Sequence, residues 1–166
     1  MANTSFAGQP VATVGELPAV GSQLPAFTVT SRDLADVTEQ DFPGKRLVIN
    51  IFPSIDTSVC AMSVRRFNQL VANWPDTQVI CVSEDLPFAL DRFCGAEGID
   101  NLVVTSAFRS DFGTAFGVTM VDGPLRGLLA RSVVIADATG QVIYARLSPE
   151  ITEEPDYSDA AQAMAG

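Results

Sequence analysis

The chain of 166 residues contains no histidine, one tryptophan and, in Lys45, one lysine. Without an imidazole, Ser-His and Cys-His catalytic pairs, histidine-ligated zinc and histidine general bases are excluded. Ten basic against twenty acidic side chains give a formal net charge of -10, no footprint for a nucleic-acid backbone or an anionic membrane. No uninterrupted apolar run approaches the ~20 residues that span a bilayer. Met1 to Pro10 lacks the basic start and apolar stretch of a secretory signal. The three cysteines, Cys60, Cys81 and Cys94, form no Cys-x-x-Cys pair, so neither a disulfide framework nor a zinc ribbon is indicated. The expectation is a cytoplasmic protein with free thiols, whose chemistry falls to Cys, Asp, Glu, Arg, Thr, Ser or Tyr.

What is present suffices for one core: 47% of the residues are hydrophobic, and a domain of this length buries about 70% of its unfolded surface. A single domain over residues 1–166 is expected, with 1–15 as a hairpin extension in which Gly8-Gln9-Pro10 turns between Thr4-Ser5-Phe6 and Val11-Ala12-Thr13. Phe27 to Thr30 and Val37-Thr38 read as short strands. Arg46 to Phe52 and Thr77 to Ser83 are near-continuously apolar and β-branched, the pattern of strands buried on both faces. Between them Cys60, Val64, Phe67, Val71 and Trp74 recur at helical spacing, with Asp56, Thr57 and Ser58 as N-cap candidates. A short helix over Pro87 to Cys94 follows, with Glu84 and Asp85 at its start and Gly95 and Gly98 at its end.

Leu102 to Thr105 predicts another strand, Asp111 to Phe116 a helix, and Leu128 to Ala136 with Gln141 to Leu147 a hairpin around Asp137-Ala138-Thr139-Gly140. Asp156 to Met164 predicts a closing helix, and the acidic Glu150 to Asp159 reads as a solvated face. Alternation of strand and helix implies an α/β domain whose mixed central sheet is parallel in the middle and antiparallel late.

Cys60 stands in the first turn of the helix that follows a buried strand. Unpartnered N–H groups and the positive end of the helix dipole there favour a thiolate. Position alone favours a packing cysteine slightly, because Cys60 is in phase with the apolar stripe. Its neighbours favour a reactive one: Thr57 can cap the helix and reach the sulfur, and Pro53 can wall the pocket without offering an N–H.

Pro53-x-x-x-Thr57-x-x-Cys60 after a strand resembles the active-site loop of the peroxiredoxins. Asn50 to Thr57, Asp85 to Ala89, Arg92 to Gly98, Asp122 to Leu125, Glu150 to Thr152 and Glu154 to Tyr157 resemble the thiol peroxidase subfamily, of the atypical two-cysteine type, over nearly the whole chain. The resemblance implies a thioredoxin-like fold, a central mixed β-sheet flanked by helices with an N-terminal β-hairpin. It implies reduction of hydrogen peroxide and organic hydroperoxides without metal or organic cofactor, recycling by thioredoxin, and a homodimer. Residue by residue it makes Cys60 the peroxidatic cysteine, Cys94 the resolving one, Thr57 and Pro53 loop partners, and Arg131 the arginine that completes the site.

Arg131 is the one charged residue in Leu128 to Ala136, and a buried guanidinium needs an anion; read alone, it is equally an edge-strand arginine or a partner for Asp56. Cys94, before Gly95, is expected where a helix frays, and the chain separation permits a bridge to Cys60 without establishing it, since Cα atoms must come within about 7 Å. Cys81 is read as a core cysteine. Leu86, Phe88, Phe93 and Phe116 are expected to pack in the core, although some of them are placed to line an apolar channel. The alternative function is a peroxide-sensing relay that passes the disulfide to a partner protein.

Overall fold

The structure is a computed structural model that describes residues 1–165. Strands β1 (Asn3–Phe6) and β2 (Gln9–Ala12) form the N-terminal hairpin. The turn falls one residue earlier than expected, on Ala7 and Gly8, both at positive φ. Pro10 therefore lies within β2, tolerated because a two-stranded ribbon has free edges.

The main sheet comprises β3 (Thr28–Thr30), β4 (Asp36–Thr38), β5 (Arg46–Ile51), β6 (Thr77–Ser83), β7 (Val103–Ser106), β8 (Ser132–Ala136) and β9 (Val142–Leu147), in the order β4-β3-β7-β6-β5-β8-β9. The central β5, β6 and β7 are parallel, and β8-β9 forms the late antiparallel hairpin. An antiparallel pair, β3-β4, closes the other edge, joined to β7 only through Thr30 and Ser106.

Helix α1 (Ser58–Leu70) crosses from β5 to β6, and α2 (Pro87–Glu97) from β6 to β7. Successive right-handed crossovers in one direction put both helices on the same face. Alternate residues of β5 show the two sides. Val48 packs with Cys60, Val64 and Phe67 of α1, Leu90 and Cys94 of α2, and Ala160 and Met164 of α4 (Tyr157–Ala165). Leu47, Ile49 and Ile51 pack on the opposite side with Phe27 and with Phe112 and Phe116 at α3 (Phe112–Ala115). Full burial of each such side chain contributes about 1.5–3 kcal/mol.

Three boundaries differ from expectation. The α1 stripe breaks at a 3-10 turn over Val71–Asn73, and Trp74 folds back on Phe67 with ring centroids 6.3 Å apart. Helix α2 continues through Gly95 to Glu97. Gly98, at φ 66, closes it, and Cys94 O accepts from the N–H groups of both Gly98 and Ile99. Cys94 is therefore anchored and not frayed. Residues 128–131 stay outside β8, so Arg131 precedes the strand instead of lying within it.

Candidate active site

The carboxyl ends of β5 and β6 feed two loops that meet. Beyond β5 the chain runs through Phe52 and Pro53, both buried, then turns over Ser54 to Thr57 into α1. Thr57 is at the N-cap position, but its hydroxyl donates to Ser54 O at 3.0 Å and makes no capping bond. That bond directs the hydroxyl proton into the local turn and not toward the Cys60 sulfur, which it was expected to reach. The first helical bond runs from Ala61 N–H to Thr57 O at 3.0 Å, which leaves the N–H groups of Ser58, Val59 and Cys60 without helical acceptors.

Cys60 is fully buried, third in α1, and its carbonyl accepts from the Ser63 hydroxyl at 2.8 Å. Arg131 reaches it across the fold. Its Nη2 donates to Cys60 Sγ at 3.2 Å and its Nε to Ile151 O at 3.0 Å, while Nη1 is buried with no partner. The guanidinium is 1% exposed, and among the described residues no carboxylate lies within ion-pairing distance of it. Asp56, the alternative partner, pairs instead with Arg92 at 3.4 Å.

Asp85 was not singled out for the site. Its expected place at the start of α2 is taken by Leu86 as N-cap and Pro87 at the first turn. The Asp85 carboxylate instead accepts from Ser54 Oγ at 2.8 Å, the Ile55 N–H at 2.7 Å and Ser83 Oγ at 2.7 Å, fixing the loop ahead of Cys60 onto the end of β6. Farther along, Arg65 of α1 makes a two-pronged pair with Glu97 of α2, at 2.8 and 3.1 Å, and stacks over Phe93. The segment carrying Cys60 and the helix carrying Cys94 are thus tied together at two places, Arg92–Asp56 and Arg65–Glu97, while Asp85 ties the same segment to the end of β6.

All three cysteines are free and buried in one apolar cluster. Burial pushes the Cys94 thiol above its ordinary value, partly offset by the nearby Arg32. Burial also pushes Cys81 up to about 12; it sits in β6 with only the Asn50 amide, at 3.8 Å, directed at its sulfur. Of the apolar residues expected in the core, Phe116 is there, Phe93 is half-buried, and Leu86 and Phe88 are 52% and 65% exposed. Pro87 opens α2 so that these two flank it on the solvent side, at the sheet edge that carries the Cys60 loop.

Among the described residues no group of three or more His, Cys, Asp or Glu side chains is placed to hold a metal ion, and no helix is long and apolar enough to cross a membrane.

Residues 19–163 match the redoxin family. The chain is 52% identical over 164 residues to a thiol peroxidase of Corynebacterium glutamicum and 53% identical over 164 residues to one of Mycobacterium tuberculosis, covering 99% of each chain in both cases. A crystal structure of a peroxiredoxin-like protein from Aquifex aeolicus superposes with a TM-score of 0.94 at 38% identity, over 99% of this chain and 96% of that one. A buried cysteine at a helix start on a thioredoxin-like mixed sheet, in a chain that shares half its residues with thiol peroxidases end to end, belongs to the redoxin family and, within it, to the thiol peroxidase subfamily of the peroxiredoxins, enzymes of the peroxidase oxidoreductase class.

Proposed function

We propose that Cys60 is the peroxidatic nucleophile and Cys94 the resolving cysteine of a thioredoxin-recycled peroxidase acting on hydrogen peroxide and organic hydroperoxides. The observation that carries this reading is the Arg131 Nη2 to Cys60 Sγ contact: a buried cation without a carboxylate has the sulfur as its anionic partner. The Cys60 thiolate attacks the terminal oxygen of the hydroperoxide, the O–O bond breaks, and Cys60 becomes a sulfenic acid while an alkoxide or hydroxide leaves and takes up a proton. Arg131 Nη1, unpartnered, and the free N–H groups of Val59 and Cys60 are the donors available to the developing charge. Pro53 shields the sulfur from water. Thr57 acts through the turn it closes, keeping those N–H groups uncapped.

Cys94 then attacks the sulfenic sulfur, expelling water and forming an intrachain disulfide that a dithiol protein of the thioredoxin type reduces. In its buried state Cys94 is held as the thiol, a poor nucleophile; exposure restores its ordinary acidity and makes it reactive. Local opening of the Cys60 loop and of α2 therefore belongs to the cycle. Leu86 and Phe88 offer an apolar approach for organic hydroperoxides. The enzyme works as a single domain of residues 1–166, with the hairpin extension 1–15, as a homodimer in the cytoplasm, where a reducing milieu keeps its three free thiols reduced.

Steady-state peroxide consumption with thioredoxin and thioredoxin reductase tests the reading. Cys60→Ser is expected to abolish turnover and Cys94→Ser to leave one fast oxidation without sustained turnover. Undiminished turnover by Cys94→Ser overturns the two-cysteine cycle.

A further inference from the structure

Between β9 and α4 the chain passes through residues 148–152, against the N-terminal hairpin. There the Glu150 carboxylate collects five donors. Oε1 accepts from the Gly8 N–H at 2.9 Å and the Ser5 hydroxyl at 3.0 Å, and Oε2 from the Ala7 N–H at 3.2 Å and from Thr152 N–H and Oγ1 at 2.8 and 2.7 Å. Ala7 and Gly8 are the two central residues of the hairpin turn, at φ 50 and 81, a conformation that turns both N–H groups toward one anion. An alanine adopts that region when something outside the turn holds it.

Two backbone bonds flank the carboxylate: Ser5 N–H to Pro149 O at 3.1 Å and Ile151 N–H to Ser5 O at 2.8 Å. The carbonyl of the same Ile151 accepts from Arg131 Nε.

We propose that Glu150 is a positioning residue for the peroxidase reaction: by clamping the hairpin turn on one side and Thr152 on the other, it fixes the Ile151 carbonyl that aims the Arg131 guanidinium at Cys60. The inference rests on the reading of Cys60 and Arg131 given above. Apart from the Cys60 sulfur, Arg131 has no anionic partner to hold it, and one of its terminal nitrogens is unpartnered, so the direction of Nη2 depends on the Nε bond to Ile151. The donors, Thr152 N–H first and Gly8 N–H second, hold the Glu150 carboxyl at about 2, so the clamp stays charged at any working pH.

The test measures the two half-reactions of Glu150→Ala separately, with hydrogen peroxide as oxidant and dithiothreitol as reductant, in the full chain and again in an Arg131→Met background. A misplaced catalytic group lowers rate by about 10- to 100-fold, and that loss is expected in kcat/KM for peroxide, with kcat/KM for dithiothreitol unchanged. In the Arg131→Met background the same change is expected to make less than about a twofold difference, because the residue it acts through is gone. Glu150→Gln, which keeps one acceptor oxygen, is expected to lie between wild type and Glu150→Ala, and it carries the measurement if the alanine variant does not fold. Unchanged peroxide oxidation, equal loss in both half-reactions, full additivity with Arg131→Met, or failure of both variants to fold overturns the proposal. If Arg131→Met itself oxidises at the wild-type rate, it is the reading of the Cys60–Arg131 pair that fails.

Discussion

Replacing Arg131 with methionine is expected to lower stability and, by more than that loss explains, activity. The side chain is 1% exposed and holds two hydrogen bonds, one to a carbonyl and one to sulfur, with no carboxylate in range. Replacing a whole buried ion pair by apolar side chains is typically neutral or stabilising by about 1–4 kcal/mol, but removing one partner alone costs about 3–5 kcal/mol, and methionine removes only the cation from the Arg131–Cys60 pair. The lost donor to the Ile151 carbonyl acts in the same direction. The net is destabilisation of about 3–5 kcal/mol; at roughly 2–4 °C per kcal/mol for a chain of this size, Tm falls by about 6–20 °C. Activity falls by more than unfolding explains. Loss of one preorganised donor to a developing anion costs about 100- to 1,000-fold, read as the second-order rate of Cys60 oxidation by hydrogen peroxide in stopped flow. Melting curves of the reduced protein give the other half. An unchanged or higher Tm refutes the buried pair, and activity that recovers at temperatures where the variant is fully folded refutes the catalytic role and makes Arg131 a structural residue.

Asp85→Ala is expected to destabilise the protein by about 2–4 kcal/mol, since it strands the Ile55 N–H and two hydroxyls; urea unfolding measures it, and a change below about 0.5 kcal/mol rules the clamp out. Iodoacetamide should label Cys94 in the reduced protein far more slowly than a free thiol, and Arg65→Ala, which cuts a tie to α2, should speed labelling severalfold. Stability should also fall in alkali. With Cys81 pushed up to about 12, the folded state keeps its proton while the unfolded thiol, near 8.5, loses it, so the contribution is intact below about pH 8.5 and drains by about 1.4 kcal/mol per pH unit from there toward pH 12. Cys81→Ala should flatten that slope in urea titrations at pH 8, 9 and 10; an unchanged slope refutes the assignment.

The sequence made the scaffold legible where local pattern and tertiary role agree. Arg46 to Phe52 and Thr77 to Ser83 read as buried strands because both faces of β5 and β6 are covered, and the stripe from Cys60 to Phe67 read as a helix because one face alone meets the sheet. Leu86 and Phe88 did not read correctly, since hydrophobicity says nothing about which side of a first helical turn meets solvent. Arg131 stood out as a lone charge among apolar residues, but not its place just before β8, where its carbonyl accepts from the Ser148 N–H and Leu129 bridges to Thr119. Asp85 and Glu150 were opaque for another reason: each collects donors from segments distant in sequence, and spacing within one segment does not announce which loops will meet.

In the proposed cycle, the two ion pairs between the Cys60 segment and α2, together with the Asp85 carboxylate that holds that segment on β6, would act as a timer. There, two reactions would compete for a Cys60 sulfenic acid: attack by Cys94, which must first leave its buried place, and attack by a second peroxide, which carries the sulfur on to the sulfinic level. The first has a rate set by how often Asp85, Arg92–Asp56 and Arg65–Glu97 release together; the second rises with peroxide concentration. On that reading the peroxide level at which the enzyme inactivates itself is set by two ion pairs and one carboxylate. The ion pairs are screened by salt, so that ceiling rises with ionic strength although no group at the sulfur changes.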